Sequence, residues 1–166
     1  RDFIRSQPAE LAQVHEARGQ LGSLLMRAGR TAEATEIFRS MVEAQPGDLA
    51  TLGLLANALV RQGAFPEAVE RYGAYLRTRP DDTAALSGFG IALSGDGRLE
   101  EAARAFRRVV ELEPANGRAA QNLARALAGL GDLAGAEAEA ARAVSLEPDD
   151  VAARALLGQI RTARGK

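Results

Sequence analysis

The sequence contains no cysteine, no tryptophan and a single histidine, His15. Without cysteine the chain has no disulfide, no thiolate ligand and no cysteine nucleophile. With one histidine it lacks the side chains for the usual metal clusters and for the common histidine-activated nucleophiles. We interpret His15 as an exposed surface side chain at the start of the first repeat. We therefore expect no enzymatic activity, no metal and no other cofactor.

The chain also has no excess of charge of either sign. Its 21 Lys and Arg residues against 22 Asp and Glu residues give a formal net charge of -1, which produces no global field toward nucleic acid or anionic lipid. No run approaches the roughly 18 apolar residues of a membrane span. We therefore expect no nucleic-acid partner and no insertion into a membrane. Twenty of the 21 basic residues are arginine, a bias that favours a GC-rich bacterial source.

One spacing of 34 residues organises the chain. It separates Pro46, Pro80, Pro114 and Pro148. Further columns keep the same step: a glycine column, an alanine column, a large apolar column, a small-residue column and a leucine column. Their members are Gly29, Gly63, Gly97, Gly131 and Gly165; Ala34, Ala68, Ala102 and Ala136; Leu21, Leu55, Phe89, Leu123 and Leu157; Gly22, Ala56, Gly90, Ala124 and Gly158; and Leu25, Leu59, Leu93 and Leu127.

The residue type of each column fits a role in helix structure. Glycine adopts the left-handed conformation that ends a helix, and proline stops the helix that follows. Side chains that cap helices come two residues after each proline, at Asp48, Asp82, Asn116 and Asp150. Each copy is therefore predicted as helix, turn, helix and stop. A single helix pair cannot bury its apolar stripe, so neighbouring pairs must stack into a solenoid.

These columns resemble the tetratricopeptide repeat family, whose 34-residue pattern runs W-x2-L-G-x2-Y, A-x3-F and P. The third copy matches this pattern with Leu86, Phe89, Gly90, Leu93, Ala102, Phe106 and Pro114. The resemblance implies an all-α fold, a right-handed α-α superhelix built as a TPR solenoid of antiparallel helix pairs with a C-terminal capping helix.

We assign residues 1–166 to a single array. Four complete repeats span 15–48, 49–82, 83–116 and 117–150, and 151–166 form the capping helix. Residues 1–14 are interpreted as a partial preceding repeat and a helix extension, with one helix ending near Pro8 and the next beginning at about residue 9.

In this family the first helix of each pair lines a concave groove that binds peptides, so the resemblance implies a protein or peptide partner. The helix face opposite the leucine column supplies the candidate groove residues: Arg27, Leu54, Asn57, Arg61, Ser87, Gly88, Ile91, Arg118, Gln121, Asn122 and Arg125. On the same face we place Glu16, Gln20, Ser23, Ala50, Ala84, Ser94 and Gln159.

Copy four concentrates arginine and amide side chains on this face. We expect a small or apolar partner side chain over Ser87, Gly88 and Ile91, and an acidic side chain or a C-terminal carboxylate near Arg118 and Arg125, since arginine binds carboxylates bidentately. The alternative is a structural or self-association module of a larger bacterial protein. RNA binding is disfavoured because the groove face has few aromatic side chains for base stacking.

Overall fold

The computed structural model describes the backbone of residues 2–165 and the side chains of residues 11–165. Within that range the chain forms nine α-helices and no strand. The helices are α1 (Asp2–Arg27), α2 (Thr31–Ala44), α3 (Leu49–Gln62), α4 (Phe65–Thr78), α5 (Thr83–Gly95), α6 (Leu99–Leu112), α7 (Gly117–Gly129), α8 (Leu133–Leu146) and α9 (Val151–Arg164). The prediction of an all-α chain with short turns is confirmed.

The turns inside the helix pairs contain the glycine column. Gly29, Gly63, Gly97 and Gly131 have φ values from 75° to 82°, the left-handed region that a residue without Cβ adopts at little cost. These four predictions are confirmed. Gly165, placed in the same column, has φ -81°, and its assignment as a left-handed turn is wrong.

The predicted caps are also confirmed. The side chains accept hydrogen bonds from backbone N–H groups in the first turn of the following helix, and each such cap contributes about 1 kcal/mol. They are Asp48 at α3, Asp82 at α5, Asn116 at α7 and Asp150 at α9. The helices α3, α5, α7 and α9 therefore each begin at a defined residue, which fixes the register of the side chains along them.

The chain divides into two compact units, Arg1–Arg71 and Tyr72–Lys166, with the boundary inside α4. In the first unit Phe38, Met41, Leu55 and Leu59 are fully buried. The Phe38 ring lies directly against the backbone of α1, so close that a Cβ on Gly22 would be 2.5 Å from Phe38 Cε1. The small-residue column thus allows α1 and α2 to approach each other.

The second unit repeats this packing. A Cβ on Gly90 would be 2.6 Å from Phe106 Cε1, and Leu93, Phe106 and Val109 are buried. On α9 the buried side chains are Ala153 and Ile160. Leu157, the predicted column residue, is only half-buried.

The end of α9 is held to α8 by ion pairs. Arg161 and Arg164 reach Glu137 at 2.9 and 2.6 Å, and Arg154 is exposed. The capping role assigned to residues 151–166 stays a prediction, and Lys166 lies outside the described residues.

Two expectations for the N-terminal helix differ from the structure. Leu21 is 49% exposed, because the contacts of α1 with α2 and α3 bury the neighbouring positions Gly22 and Leu25 instead. The helix end expected near Pro8 is not observed, since α1 continues through it. Proline has no N–H to donate to the Ile4 carbonyl, but the rest of the helix ladder bridges this position. The assignment of residues 1–14 to a preceding repeat stays a prediction, and Arg1 lies outside the described residues.

Candidate functional site

The first unit contains a cleft of about 700 Å³ between α1, the end of α2 and the start of α3. It is lined by Ala12, His15, Glu16, Gly19, Gln20, Ser23, Leu24, Arg27, Met41, Gln45, Asp48, Ala50, Thr51 and Leu54. A second cleft of about 480 Å³ shares Ser23, Arg27 and Leu54 with the first and adds Met26, Phe38, Asn57 and Arg61. Because the two share their lining, we treat them as one site, the α1–α3 cleft.

Helical spacing explains which side chains face this cleft. Glu16, Gln20, Ser23 and Arg27 follow one another at intervals of three or four residues, so they lie on one face of α1. Ala50, Leu54, Asn57 and Arg61 do the same on α3. The chain reverses twice between α1 and α3, so the two helices run in the same direction. Residues early in both helices therefore lie at one end of the cleft, and Arg27 and Arg61 lie at the other.

The floor of the α1–α3 cleft is apolar. Leu24 is 55% exposed and Leu54 is half-buried, while the fully buried Met41 closes the bottom. An apolar side chain placed here would cover both leucines, which is favourable at about 25 cal/mol per Å² of apolar surface buried. The floor therefore suits one or two apolar side chains of a ligand.

His15 is not the exposed side chain that the sequence analysis predicted. Its side chain is 23% exposed, and its Nε2 lies 2.8 Å from Oδ2 of Asp48, to which it donates a hydrogen bond. The Thr51 hydroxyl donates to the same carboxylate oxygen. A signal for this contact was present: with a period of 34 residues, position 15 corresponds to position 49, so Asp48 immediately precedes the residue that matches His15 in the next copy.

The environment of Asp48 keeps its carboxylate charged. Burial raises the pKa of Asp48, but hydrogen bonds from Thr51, from His15 and from the backbone of α3 outweigh burial, so the pKa lies below its usual range. Thr51 is only 2% exposed, and its hydroxyl donates to the Asp48 carboxylate and not to the His15 imidazole. The three residues thus form a structural link between α1 and the start of α3, and their arrangement does not support nucleophilic catalysis.

The two arginines of the α1–α3 cleft, Arg27 and Arg61, differ from Arg30 and Arg39 of the same unit in their ion pairing. Arg30 and Arg39 are paired with Glu33 and Glu36 at 2.6 Å. In the part of the chain with described side chains, neither Arg27 nor Arg61 pairs with a carboxylate. Arg61 donates one hydrogen bond, from Nη1 to the Met26 carbonyl at 3.2 Å. Both arginines are exposed, so they are open to an anionic ligand.

The second unit contains a third cleft, of about 420 Å³, lined by Arg125, Ala152, Ala155, Leu156 and Gln159. The structure thus places Arg125 and Gln159 together, as the helix-face argument grouped them. The other candidates of this unit, Ser87, Gly88, Ile91, Arg118, Gln121 and Asn122, line none of the three clefts described here.

Packing explains why position 88 is a glycine, because the Tyr72 hydroxyl lies where the Cβ of any other residue would be. Its assignment to the groove stays a prediction. Ile91 remains 43% exposed, and Arg118 is exposed at the start of α7. Their role in binding stays a prediction.

Two classes of site are not found among the described residues. No group of three or more histidine, cysteine, aspartate or glutamate side chains is placed to hold a metal ion. Likewise, none of the helices α1 to α9 combines the length and the apolar character that crossing a membrane requires.

Sequence reasoning missed Leu24, Met41 and Thr51. Leu24 lies one turn after Gln20 on the cleft side of α1, so helical spacing alone would have found it. Met41 and Thr51 contribute to the cleft from buried positions, which periodicity assigns to the core. No pattern in the sequence distinguishes a buried side chain that also forms a cleft floor.

Comparison with known proteins identifies the repeat family independently of the sequence pattern. The family model of the tetratricopeptide repeat matches residues 25–88 and 93–160. No curated protein sequence matches the chain significantly.

Similar solved structures include MamA from Desulfovibrio magneticus RS-1, spanning residue 41 to the end, with 22% identity over 91% of this chain and 85% of that one and a TM-score of 0.85. A double mutant of RS-1 MamA has 23% identity over 90% and 84%, with a TM-score of 0.84. YrrB, described as a TPR protein with an unusual peptide-binding site, has 22% identity over 86% and 73%, with a TM-score of 0.78. At these identities the likeness shows the fold alone, and it confirms an all-α solenoid.

Proposed function

Since the chain belongs to the tetratricopeptide repeat family, we propose that its first unit binds an extended segment of another protein in the α1–α3 cleft, with a carboxylate of that segment at Arg27 and Arg61. Proteins of this family are in general non-catalytic interaction scaffolds. The proposal narrows this general role to one cleft and one ligand chemistry.

The observation that carries the proposal is that Arg27 and Arg61 are exposed and have no carboxylate partner among the side chains of residues 11–165. Arg30 and Arg39 on the same unit satisfy their guanidinium groups with glutamates. Arg27 and Arg61 line the cleft instead. A guanidinium group offers a planar fork of donors that matches a carboxylate, so an acidic side chain or a chain terminus supplies the missing acceptor.

The remaining lining is consistent with a peptide. Leu24 and Leu54 offer an apolar contact, and the exposed amide of Asn57 lies between Leu54 and Arg61 along α3. An amide group both donates to and accepts from a peptide backbone. The cleft volumes fall in the range of about 300–1,000 Å³ typical of ligand sites. YrrB shares this fold, and the peptide-binding site in its description is consistent with the same class of ligand here.

The test is binding of a fluorescein-labelled, eight-residue peptide with two central leucines and a glutamate at each end, followed by fluorescence anisotropy. Replacing both Arg27 and Arg61 by Glu should weaken binding about tenfold or more, because each exposed ion pair contributes up to about 1 kcal/mol and reversal turns attraction into repulsion. The matched control replaces Arg104 and Arg107 by Glu, which are exposed on α6 and outside the three clefts. Equal affinity in the wild type and the Arg27/Arg61 variant would reject the site.

A variant with Arg118 and Arg125 replaced by Glu tests the other candidate position in the same assay. If this variant loses binding while the Arg27/Arg61 variant keeps it, the ligand binds the second unit. The alternative of a structural or self-association module predicts a concentration-dependent dimer in multi-angle light scattering and no affinity for the peptide.

A further inference from the structure

The end of the α1–α3 cleft opposite Arg27 and Arg61 carries two carboxylates, Glu16 and Asp48, that no arginine with a described side chain neutralises. Glu16 is exposed, and its described hydrogen bond comes from Gln20 Nε2 at 3.3 Å. Asp48 is held by an imidazole, a hydroxyl and a backbone amide rather than by a guanidinium group. Since Asp48 also caps the positive N-terminus of α3, Glu16 presents the larger part of the exposed negative charge.

The two charged ends are separated by a length that a short peptide spans. Glu16 and Arg27 are eleven residues apart on α1, or roughly 16 Å at the helical rise of 1.5 Å per residue. Asp48 and Arg61, thirteen residues apart, are separated by roughly 20 Å along α3. An extended chain advances about 3.3–3.6 Å per residue. Five or six residues of a bound segment therefore reach from one end to the other.

We infer that the α1–α3 cleft selects a dipolar segment: a cationic group binds at Glu16 and Asp48, an apolar side chain lies on Leu24 and Leu54, and a carboxylate five or six residues away binds Arg27 and Arg61. This inference rests on the proposed peptide site. It adds a second electrostatic requirement, since a uniformly acidic segment places a negative charge against Glu16. Complementary charges at both ends fix the register of the segment and reject segments of the wrong polarity.

Four peptides separate the charge requirements. Each has blocked termini, eight residues and two central leucines. The first carries Lys and Glu five residues apart, the second carries the same Lys and Glu next to each other at one end, the third carries two Glu and the fourth two Lys. The first peptide should bind the wild type about fivefold tighter than the second and the third, the effect of one exposed ion pair. The fourth should bind most weakly.

Glu16→Lys provides the decisive variant. It should reverse the ranking, so that the peptide with two Glu binds about fivefold tighter than the peptide with Lys and Glu. Glu70→Lys is the matched control, because Glu70 is an exposed carboxylate on α4 of the same unit that lines none of the three clefts. It should leave the ranking unchanged, and circular dichroism should show equal helicity for both variants.

The outcomes distinguish this inference from the function on which it rests. If the peptide with two Glu binds the wild type as tightly as the first peptide, and Glu16→Lys does not change the ranking, the dipolar selection is overturned while the acidic-peptide site survives. If no peptide binds, both are overturned. If the wild type is a dimer that Glu16→Lys dissociates, a second copy of the chain occupies the cleft and the inference is again overturned.

Discussion

Replacing Gly90 by alanine tests the reason for the small-residue column. A Cβ at this position would lie 2.6, 2.7 and 2.9 Å from Cε1, Cζ and Cδ1 of Phe106. Carbon atoms pack best at about 3.5–4.0 Å, so the ring must move by most of an ångström. Phe106 is 2% exposed, so the ring cannot relieve this contact by moving into solvent.

The magnitude follows from two opposing terms. Overpacking of a well-packed core costs about 1–3 kcal/mol, and alanine in a helix interior is favoured over glycine by about 0.5–1 kcal/mol. We expect Gly90→Ala to destabilise the protein by about 1 kcal/mol. Gly158 belongs to the same column but has nothing within 4 Å of the added Cβ. Gly158→Ala should therefore stabilise by about 0.5–1 kcal/mol, and the difference between the two variants equals the overpacking cost.

The assay is urea unfolding followed by circular dichroism, with thermal midpoints as a second measure. For a chain of this size, each 1 kcal/mol corresponds to about 2–4 °C. Adding Phe106→Leu to Gly90→Ala should recover part of the loss, which a double-mutant cycle measures as a coupling energy. If Gly90→Ala stabilises the protein as much as Gly158→Ala does, the close approach of α5 and α6 is refuted.

Two further predictions concern the core and the acid stability. Leu93→Ala should lower the free energy of unfolding by about 2–5 kcal/mol, because Leu93 is fully buried. Ile91 lies two residues earlier on the exposed side of α5, so Ile91→Ala should change the free energy of unfolding by less than about 0.5 kcal/mol. Equal effects would mean that the helix faces are reversed. Because the pKa of Asp48 is lowered in the folded state, its contribution is present above the unfolded pKa and is lost as the pH falls through the folded pKa. Asp48→Asn, which keeps a good cap, should therefore flatten the acid limb of the urea midpoint between about pH 2 and 5, and an unchanged limb would contradict the lowered pKa.

Most of the fold was predictable because it depends on local geometry repeated at one period. The positive φ of Gly63 and the cap at Asp82 each follow from a few neighbouring residues, and repetition makes each assignment reinforce the next. The N-terminal helix was the exception. Leu21 follows the column in sequence, but its burial depends on a neighbouring helix that the period cannot guarantee.

The candidate site was predictable only in part. Helical spacing groups Arg27 and Arg61 with the other residues that line the α1–α3 cleft, because the face of a helix depends on sequence alone. Which positions form a cleft depends on the side chains opposite, and helical spacing does not show these: the Tyr72 hydroxyl, for example, occupies the space beside Gly88. The contact of His15 with Asp48 likewise joins the first and the last residue of one copy, and it depends on how α1 packs beside α3, which the spacing within either helix does not show.

The most direct test of the central claim is to locate the peptide. Backbone amide chemical shifts of the labelled full chain should be recorded by NMR while the eight-residue peptide with two Glu is added. The proposed site predicts that the largest chemical-shift changes fall on residues 16–27 of α1 and on residues 48–61, which are the cap of α3 and the helix itself. Changes concentrated on α7, or spread evenly over both units, would contradict it.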